Sequence, residues 1–472
     1  MQVFLIIVLA FSVSAFAQAR RVPQGQTPRA EATLGDGGLS AKEMFDEANG
    51  YTRARFEEFE KRKVPVSEAL RLETEKEKRQ LAARYAAVLA GREELSAEDT
   101  YYQGLLHWIA ENMEQTAAVF TEYTQRDDSV AERRQRARAL VAVANAKLGR
   151  LAEAEATRAE YERESDTRLT EVARMNSEIA KAHIAAGDNA SAEPFAARAY
   201  KASKALITDP TARLRAIDEL LDAGMLLFES FRDRGMNVEA DGALDDIRSS
   251  ATIIGSPSLY FYATDKLISH QIESGRKPLG METYLTSLIR AGKELDKAQA
   301  TDVQRRIRAR EKHYKLMGEA APELTGVDKW FPGQPAKLAS LKGKVVLLDF
   351  WATWCLPCFD AFPHLTEWQE DLGSDGLVVL GITRYYGRAE GFSVDEPNEI
   401  NFLRRFRERY GLPYDFVVTK GQQTQIAYGA TALPTAVLID RAGRVRHIEV
   451  GTSSSRLAEL RRMILKLLAE TE

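Results

Sequence analysis

The chain has 472 residues, of which 44% are hydrophobic and 28% are charged, a composition typical of a soluble globular protein with two or three domains. Its 65 basic and 69 acidic residues give a formal net charge of −4, which provides no reason to expect a nucleic-acid partner. The six histidines show no metal-ligand spacing, so the sequence predicts no metal site.

The N-terminus has the features of a secretory signal peptide. Val3–Ala15 is apolar apart from two serines, and small residues follow as far as Ala19. This stretch is shorter than the roughly 20 residues that span a bilayer. We therefore predict a signal peptide over residues 1–19 and a periplasmic or secreted protein, anchored in a membrane only if the signal is not cleaved. Residues 20–38 are rich in Gly, Pro, Gln and Arg, which predicts a disordered tether.

Residues 39–316 are dominated by Ala, Glu, Arg and Leu with few prolines, which predicts an almost wholly helical region. A degenerate repeat runs through it. Gly149 and Gly187 lie 38 residues apart, and each is followed by alanine at the third and fifth positions. Asn112 and Ala117 fit as an earlier copy without glycine.

Glycine at an inter-helix turn and small residues at helix crossings resemble a tetratricopeptide-like array of helical hairpins. The tyrosines at 123, 161 and 200 are expected to lie near the ends of the second helices. The alternative is a helical bundle or a coiled-coil stalk. An array of hairpins offers an extended surface for binding other proteins.

Both cysteines of the chain fall in one short string, Trp354-Cys355-Leu356-Pro357-Cys358. Two cysteines cannot by themselves form a four-cysteine zinc site. A disulfide between them would close a very small loop, which contributes little to stability. The pattern therefore indicates a dithiol that cycles to a disulfide, with no further cofactor.

Residues 344–348 predict a buried strand that ends at Asp349 and Phe350, and residues 359–371 predict a helix. Cys355 is therefore expected at the N-terminus of that helix. Free backbone N–H groups and the helix dipole favour a thiolate over a thiol at this position.

This region resembles the thioredoxin superfamily, and its lead-in resembles the TlpA/ResA branch of that superfamily. Asp349 stands six residues before the first cysteine, and Pro363 stands five residues after the second. Leu433-Pro434 is similar to the cis-proline loop of the family. The resemblance implies an α/β thioredoxin-like domain over residues 317–472, which we expect to fold by itself. The predicted fold class is therefore multidomain, an all-α helical-hairpin region followed by an α/β domain.

The resemblance implies a role for each site residue. Cys355 would be the nucleophile, Cys358 the resolving thiol, and Asp349 a buried carboxylate that shuttles the proton of Cys358. The alternative for Asp349 is a residue that caps the end of the strand. Other residues would form the substrate-binding surface: Trp354, Pro357, Leu433 and Pro434.

The sequence thus predicts an exported thiol–disulfide oxidoreductase that acts as a reductant of protein disulfides and is recharged by an upstream membrane or periplasmic electron donor. Protein partners of the helical region are also expected. Three alternatives remain: a helical scaffold with an accessory redox domain, a disulfide oxidase or isomerase, and a peroxidase. Peroxidases of the peroxiredoxin type use a threonine three residues before the reactive cysteine. Here that position is Ala352, which argues against a peroxidase. The long insert at residues 384–398 is either a substrate contact or a surface loop.

Overall fold

The structure is a computed structural model, and it describes residues 38–164, 167–208, 213–389 and 391–470. The predicted signal peptide and all but the last residue of the predicted tether lie outside these ranges. In the described part of the chain, no helix is long and apolar enough to cross a membrane.

Helices fill the region before the first strand, as predicted for residues 39–316. They are α1 (Ala41–Lys61), α2 (Glu68–Ala90), α3 (Ala97–Ile109), α4 (Met113–Gln125), α5 (Ala131–Lys147), α6 (Leu151–Arg163), α7 (Leu169–Ala185), α8 (Asn189–Leu206), α9 (Arg213–Arg232), α10 (Asn237–Ile254), α11 (Pro257–Glu273), α12 (Lys277–Glu294), α13 (Lys297–Ala309) and α14 (Glu311–Leu316).

Short turns join these helices in pairs, and in the described part of the chain four of these within-pair turns contain a glycine in the left-handed region. Gly149 (φ 73°), Gly187 (φ 79°), Gly235 (φ 73°) and Gly275 (φ 82°) each precede the residue that caps the next helix. Gly255 (φ 73°) is a further left-handed glycine, but it lies between α10 and α11, which belong to different pairs. This conformation costs other L-residues about 1–2 kcal/mol. These four glycines therefore mark the turns of their hairpins.

The turn between α3 and α4 corrects the alignment of the earliest repeat. Its left-handed residue is Glu111 (φ 57°), and Asn112 is the N-cap of α4. The predicted copy, Asn112 with Ala117, is therefore displaced by one residue. In all five turns the residue five positions after the left-handed one is buried, because the neighbouring helix lies close: Thr116, Ala154, Ala192, Ala240 and Gly280.

Two of the predicted tyrosines fasten the end of a hairpin to the next helix. The hydroxyl of Tyr123 accepts a hydrogen bond from the backbone N–H of Val130 at 3.2 Å. That of Tyr161 accepts one from the N–H of Arg168 at 2.8 Å. Both tyrosines are fully buried, so each closes a loop from inside the core.

The chain forms two compact units that divide between Ala137 and Arg138. In the first unit, α1 to α4 pack together around Tyr101 and Phe120. A Cβ atom on Gly104 would lie 2.6 Å from the Phe120 ring, so the close approach of α3 and α4 requires glycine there. The division falls within α5, and the second unit contains the rest of that helix, the later helices and the sheet. The predicted domain boundaries stay a prediction.

The second unit contains a six-stranded mixed sheet in the order β1-β6-β3-β2-β7-β8. Strand β2 is parallel to β3 and β3 to β6, whereas β1, β7 and β8 are antiparallel to their neighbours. The strands are β1 (Val327–Phe331), β2 (Val345–Phe350), β3 (Leu377–Arg384), β6 (Asp415–Thr419), β7 (Thr435–Ile439) and β8 (Val445–Val450). The remaining elements are α15 (Leu356–Leu372), the hairpin of β4 (Arg388–Ala389) and β5 (Phe392–Ser393), α16 (Glu396–Arg409), α17 (Gln423–Tyr428) and α18 (Ser454–Ala469).

The two faces of the sheet are covered differently. One face, with Leu347 and Phe416, packs against α15, α16 and α18. The other face, with Leu348, belongs to one continuous apolar core that includes Ile268 of α11 and Tyr314 of α14. Helices from the predicted helical region therefore complete the core of the α/β fold.

Candidate active site

Helix α15 positions the two cysteines at its start. Cys355 is the N-cap, Cys358 lies in the first turn, and a disulfide of 2.06 Å joins their sulfurs. Cys355 is 4% exposed and Cys358 is fully buried, so the first sulfur is the more accessible one. Pro357 is exposed in the first turn, where its missing N–H leaves no hydrogen bond unmade.

Asp349 lies on β2 on the same face of the sheet as Leu347, the face covered by α15. It pairs with Gly381 on one side and Ala436 on the other, and it is 2% exposed. Burial raises the pKa of its carboxyl from 3.8 to about 7. Its Oδ2 atom has no hydrogen-bond partner among the described residues. This carboxyl therefore changes its protonation state close to neutral pH.

Two further buried polar groups lie on this face. The indole N–H of Trp351 and the hydroxyl of Tyr414 have no hydrogen-bond partner in the described part of the chain. A Cβ atom on Gly381 would lie 3.0 Å from the Trp351 nitrogen, so this glycine makes room for the indole. Burial and the charge of Asp349 raise the pKa of Tyr414 well above its usual range. Tyr414 had no sequence signal, because only the sheet brings it toward Asp349.

The proline loop lies at the same end of the sheet as the cysteines. The Leu433–Pro434 peptide bond is cis, and Thr435, the next residue, pairs with Phe350 at the end of β2. Pro434 is buried, and its carbonyl accepts a hydrogen bond from the N–H of Gly451 at 2.8 Å. The hydroxyl of the next residue, Thr452, donates to the carbonyl of Pro357 at 3.0 Å. One short segment therefore ties the proline loop to the start of α15.

Two large apolar side chains next to the disulfide face solvent. Trp354 is 58% exposed and Leu356 is 73% exposed. The Trp354 ring meets Tyr386 edge-on at 5.5 Å, and the guanidinium of Arg384 lies 4.2 Å from the centre of the Tyr386 ring. The insert at residues 384–398 thus begins beside the cysteine pair.

A groove of about 550 Å³ opens next to Trp354. We call it the arginine groove, and its lining residues are Thr353, Trp354, Phe359, Arg388, Gly391, Phe402, Arg405, Phe406, Arg409 and Tyr410. The sequence alone does not predict this groove. Its only sequence signal is the recurrence of aromatic and arginine residues at helical spacing between Phe402 and Tyr410.

Within the described ranges, no group of three or more His, Cys, Asp or Glu side chains is arranged to hold a metal ion. The absence of a metal or a separate cofactor remains a prediction from the sequence.

Known proteins resemble the part of the chain that carries this site. A family model described as the AhpC/TSA family matches residues 317–448. The chain is 34% identical over 142 residues to thiol-disulfide oxidoreductase ResA of Geobacillus thermodenitrificans. This alignment covers 30% of this chain and 74% of ResA. It is 30% identical over 142 residues to the thioredoxin-like protein YneN of Bacillus subtilis, covering 30% and 76% of the two chains. A solved thiol:disulfide interchange protein of the thioredoxin family from Chlorobium tepidum is 26% identical, with a TM-score of 0.26 over 32% of this chain and 96% of its own.

Proposed function

We propose, from the premise that the chain belongs to the ResA family of thiol–disulfide oxidoreductases, that it is an exported enzyme that reduces disulfides in other proteins. One observation carries the proposal. The Cys355–Cys358 pair lies at the N-terminus of α15, on the sheet face that also holds the buried carboxyl of Asp349.

The first step is attack on the substrate. In the reduced enzyme, the N-terminus of α15 stabilises the thiolate of Cys355. This thiolate attacks one sulfur of the substrate disulfide and forms a mixed disulfide. The other substrate sulfur leaves as a thiolate and takes up a proton from solvent.

The second step releases the product. Asp349 accepts the proton of the Cys358 thiol, and the Cys358 thiolate attacks the Cys355 sulfur. The second substrate sulfur leaves and is protonated. Two electrons have then passed to the substrate, and the enzyme is left with the disulfide between its own cysteines. An upstream electron donor must reduce this disulfide before the next cycle.

The direction of electron flow is the main alternative. Thioredoxin-type reductants have reduction potentials of about −270 mV, whereas a strong oxidant such as DsbA lies near about −120 mV. We expect the Cys355–Cys358 couple to lie closer to the first value. Equilibration with glutathione measures the potential, and a value near that of DsbA would favour an oxidase instead.

The AhpC/TSA match raises the alternative of peroxidase activity. The position three residues before Cys355 is occupied by Ala352, a buried residue with no hydroxyl to assist attack on a peroxide. We therefore favour disulfide exchange over peroxide reduction.

Export and partner selection complete the proposal. The apolar N-terminal stretch supports a periplasmic or secreted location. The cysteine pair fits such an oxidising compartment as a reactive disulfide, because the chain has no other cysteines for structural disulfides. The helical region contributes further protein-binding surface in the manner of tetratricopeptide-like hairpins. A helical scaffold with an accessory redox domain is the alternative, and an active cysteine pair argues against it.

Substitution of each cysteine tests the assigned roles. We expect Cys355→Ser to abolish reduction of insulin disulfides by dithiothreitol, because the nucleophile is lost. Cys358→Ser should instead accumulate mixed disulfides with client proteins, since the resolving thiol is lost. Non-reducing electrophoresis of captured envelope proteins detects them. Turnover by Cys355→Ser together with loss of turnover in Cys358→Ser would reverse the assignment.

A further inference from the structure

The charge of the arginine groove is not used by the mechanism above. Arg388, Arg405 and Arg409 line the groove, and none of the described residues that line it is acidic. None of these three guanidinium groups forms an ion pair or a hydrogen bond with another described residue. The groove therefore presents three positive charges on a chain whose formal net charge is −4.

Three carboxylates of the same segment are engaged elsewhere. Asp395 caps α16 by accepting from the N–H of Asn398 at 3.0 Å. Glu399 is buried and accepts from two backbone N–H groups of the insert, at 2.8 and 2.9 Å. Glu396 lies 3.5 Å from Lys420. These three acidic groups therefore do not pair with the arginines of the groove, which leaves those guanidinium groups open to an external anion.

The floor of the groove is aromatic. The Phe359 ring lies 5.7 Å from Phe406 and 5.6 Å from Tyr410. Trp354, the residue before Cys355, also lines the groove. A volume of about 550 Å³ is within the range of roughly 300–1,000 Å³ that ligand sites span. The groove therefore fits a short segment with apolar and acidic side chains, and it is too small for a folded domain.

The geometry connects this groove to the thiol chemistry. Trp354 is bonded directly to Cys355, and Phe359 lies one helical turn beyond it, so a segment in the groove passes close to the reactive sulfur. We propose that the arginine groove binds an acidic segment of the substrate protein, containing an aromatic or aliphatic residue, that flanks the disulfide to be reduced. This inference rests on the proposed function and adds the class of substrate.

Peptide disulfides that differ only in flanking charge test the proposal. Three peptides carry aspartate and glutamate, serine and asparagine, or lysine within about five residues of the same cysteine. We expect kcat/KM for the acidic peptide to exceed that for the neutral one by about tenfold at low salt, because exposed ion pairs each contribute a fewfold. The lysine peptide should be the poorest substrate. The differences should shrink at 0.5 M salt, where the Debye length is only a few ångströms.

Two double variants test whether the preference for the acidic peptide arises in the groove. Arg405→Gln/Arg409→Gln should bring the ratio of acidic to neutral kcat/KM to within about twofold of one. Arg404→Gln/Arg461→Gln removes the same net charge from exposed sites that do not line the groove, and it should keep the ratio. If circular dichroism shows that the first variant is misfolded, Arg388→Gln on the β4–β5 hairpin takes its place, and Arg461→Gln, which removes one charge from outside the groove, becomes its control.

The outcomes separate the two proposals. Equal kcat/KM for all three peptides would overturn the groove assignment and leave disulfide reduction intact. An equal loss of preference in both double variants would also overturn it, because long-range attraction would then explain the preference. Calorimetry with peptides that carry serine in place of cysteine measures docking alone. Docking of the acidic peptide without turnover of any disulfide would support the groove and contradict the proposed reductase activity.

Discussion

At the scale of single residues, burial determines what Asp349 can do. An exposed aspartate has a pKa of about 3.9, so it is already ionised well below neutral pH. Burial raises the pKa of Asp349 to about 7, because the charged carboxylate loses its hydration inside the protein. A group that titrates near the working pH can both accept and return a proton. The same burial has a cost for folding that depends on pH.

This cost can be measured with Asp349→Asn. Between about pH 4 and 7 the unfolded chain ionises Asp349 while the folded chain keeps it protonated, so the free energy of unfolding falls as pH rises through this window. Above pH 7 the loss is complete, at up to about 4 kcal/mol. The variant lacks this titration and should be more stable relative to the parent at pH 8 than at pH 4.5. Urea unfolding of both oxidised proteins provides the measurement; a constant difference across pH would contradict the assignment.

At the scale of elements, the hairpin turns illustrate how backbone conformation selects a residue. Gly187 has a φ of 79°, and a Cβ atom added there would meet no neighbour within 4 Å, so only backbone strain opposes a side chain. Gly242 lies inside α10 and has a helical backbone. A Cβ atom added there would also meet no neighbour within 4 Å. The two glycines therefore isolate the effect of conformation from that of packing.

We expect alanine to have opposite effects at these two glycines. Gly187→Ala should lower the free energy of unfolding by about 1–2 kcal/mol, since it forces an L-residue into the left-handed region. Gly242→Ala should raise it by about 0.5–1 kcal/mol, because alanine loses less entropy in a helix than glycine. Thermal or urea unfolding distinguishes the signs. Stabilisation by Gly187→Ala would show that the turn relaxes away from the left-handed conformation.

At the scale of the whole molecule, the sheet of the second unit depends on helices that precede it. Polar contacts join the same elements as the shared apolar core. His447 of β8 meets Glu273 of α11 at 2.7 Å, and Arg310 donates to the carbonyl of Ile448 at 3.2 Å. His313 donates to the carbonyl of Gly429 at 2.9 Å. Removing the helices would expose one apolar face of the sheet to solvent. It would also leave buried polar groups, such as His447, without their hydrogen-bond partners.

Truncation tests this dependence. A chain that begins at Gly318 exposes the apolar face of the sheet, so we expect it to aggregate or to lose cooperative unfolding. This replaces the expectation from the sequence that residues 317–472 fold by themselves. A chain that begins at Ala131 keeps the covering helices and should retain both folding and insulin reduction. A soluble, cooperatively folded and active product from Gly318 would show that the shared core is dispensable.

Several features of this protein followed from the sequence because they depend on local spacing. The i, i+3 cysteines, the following helix with Pro363 and the Leu433-Pro434 dipeptide predicted the redox region, and composition predicted the helices before it. A glycine at a turn is a local signal as well. At the α3–α4 turn the predicted repeat copy is off by one residue, because Glu111 and not Asn112 occupies the left-handed position.

Other features were decided only by tertiary structure, because they depend on residues far apart in the chain. Sheet pairing brings the proline loop to the end of β2, and it places Asp349 on the face that also carries Tyr414. The arginine groove requires α15, α16 and the β4–β5 hairpin together, so its charge and volume have no counterpart in any one segment. The shared core arises in the same way: an apolar strand in the sequence shows that both of its faces are buried, and only the fold shows what covers each face.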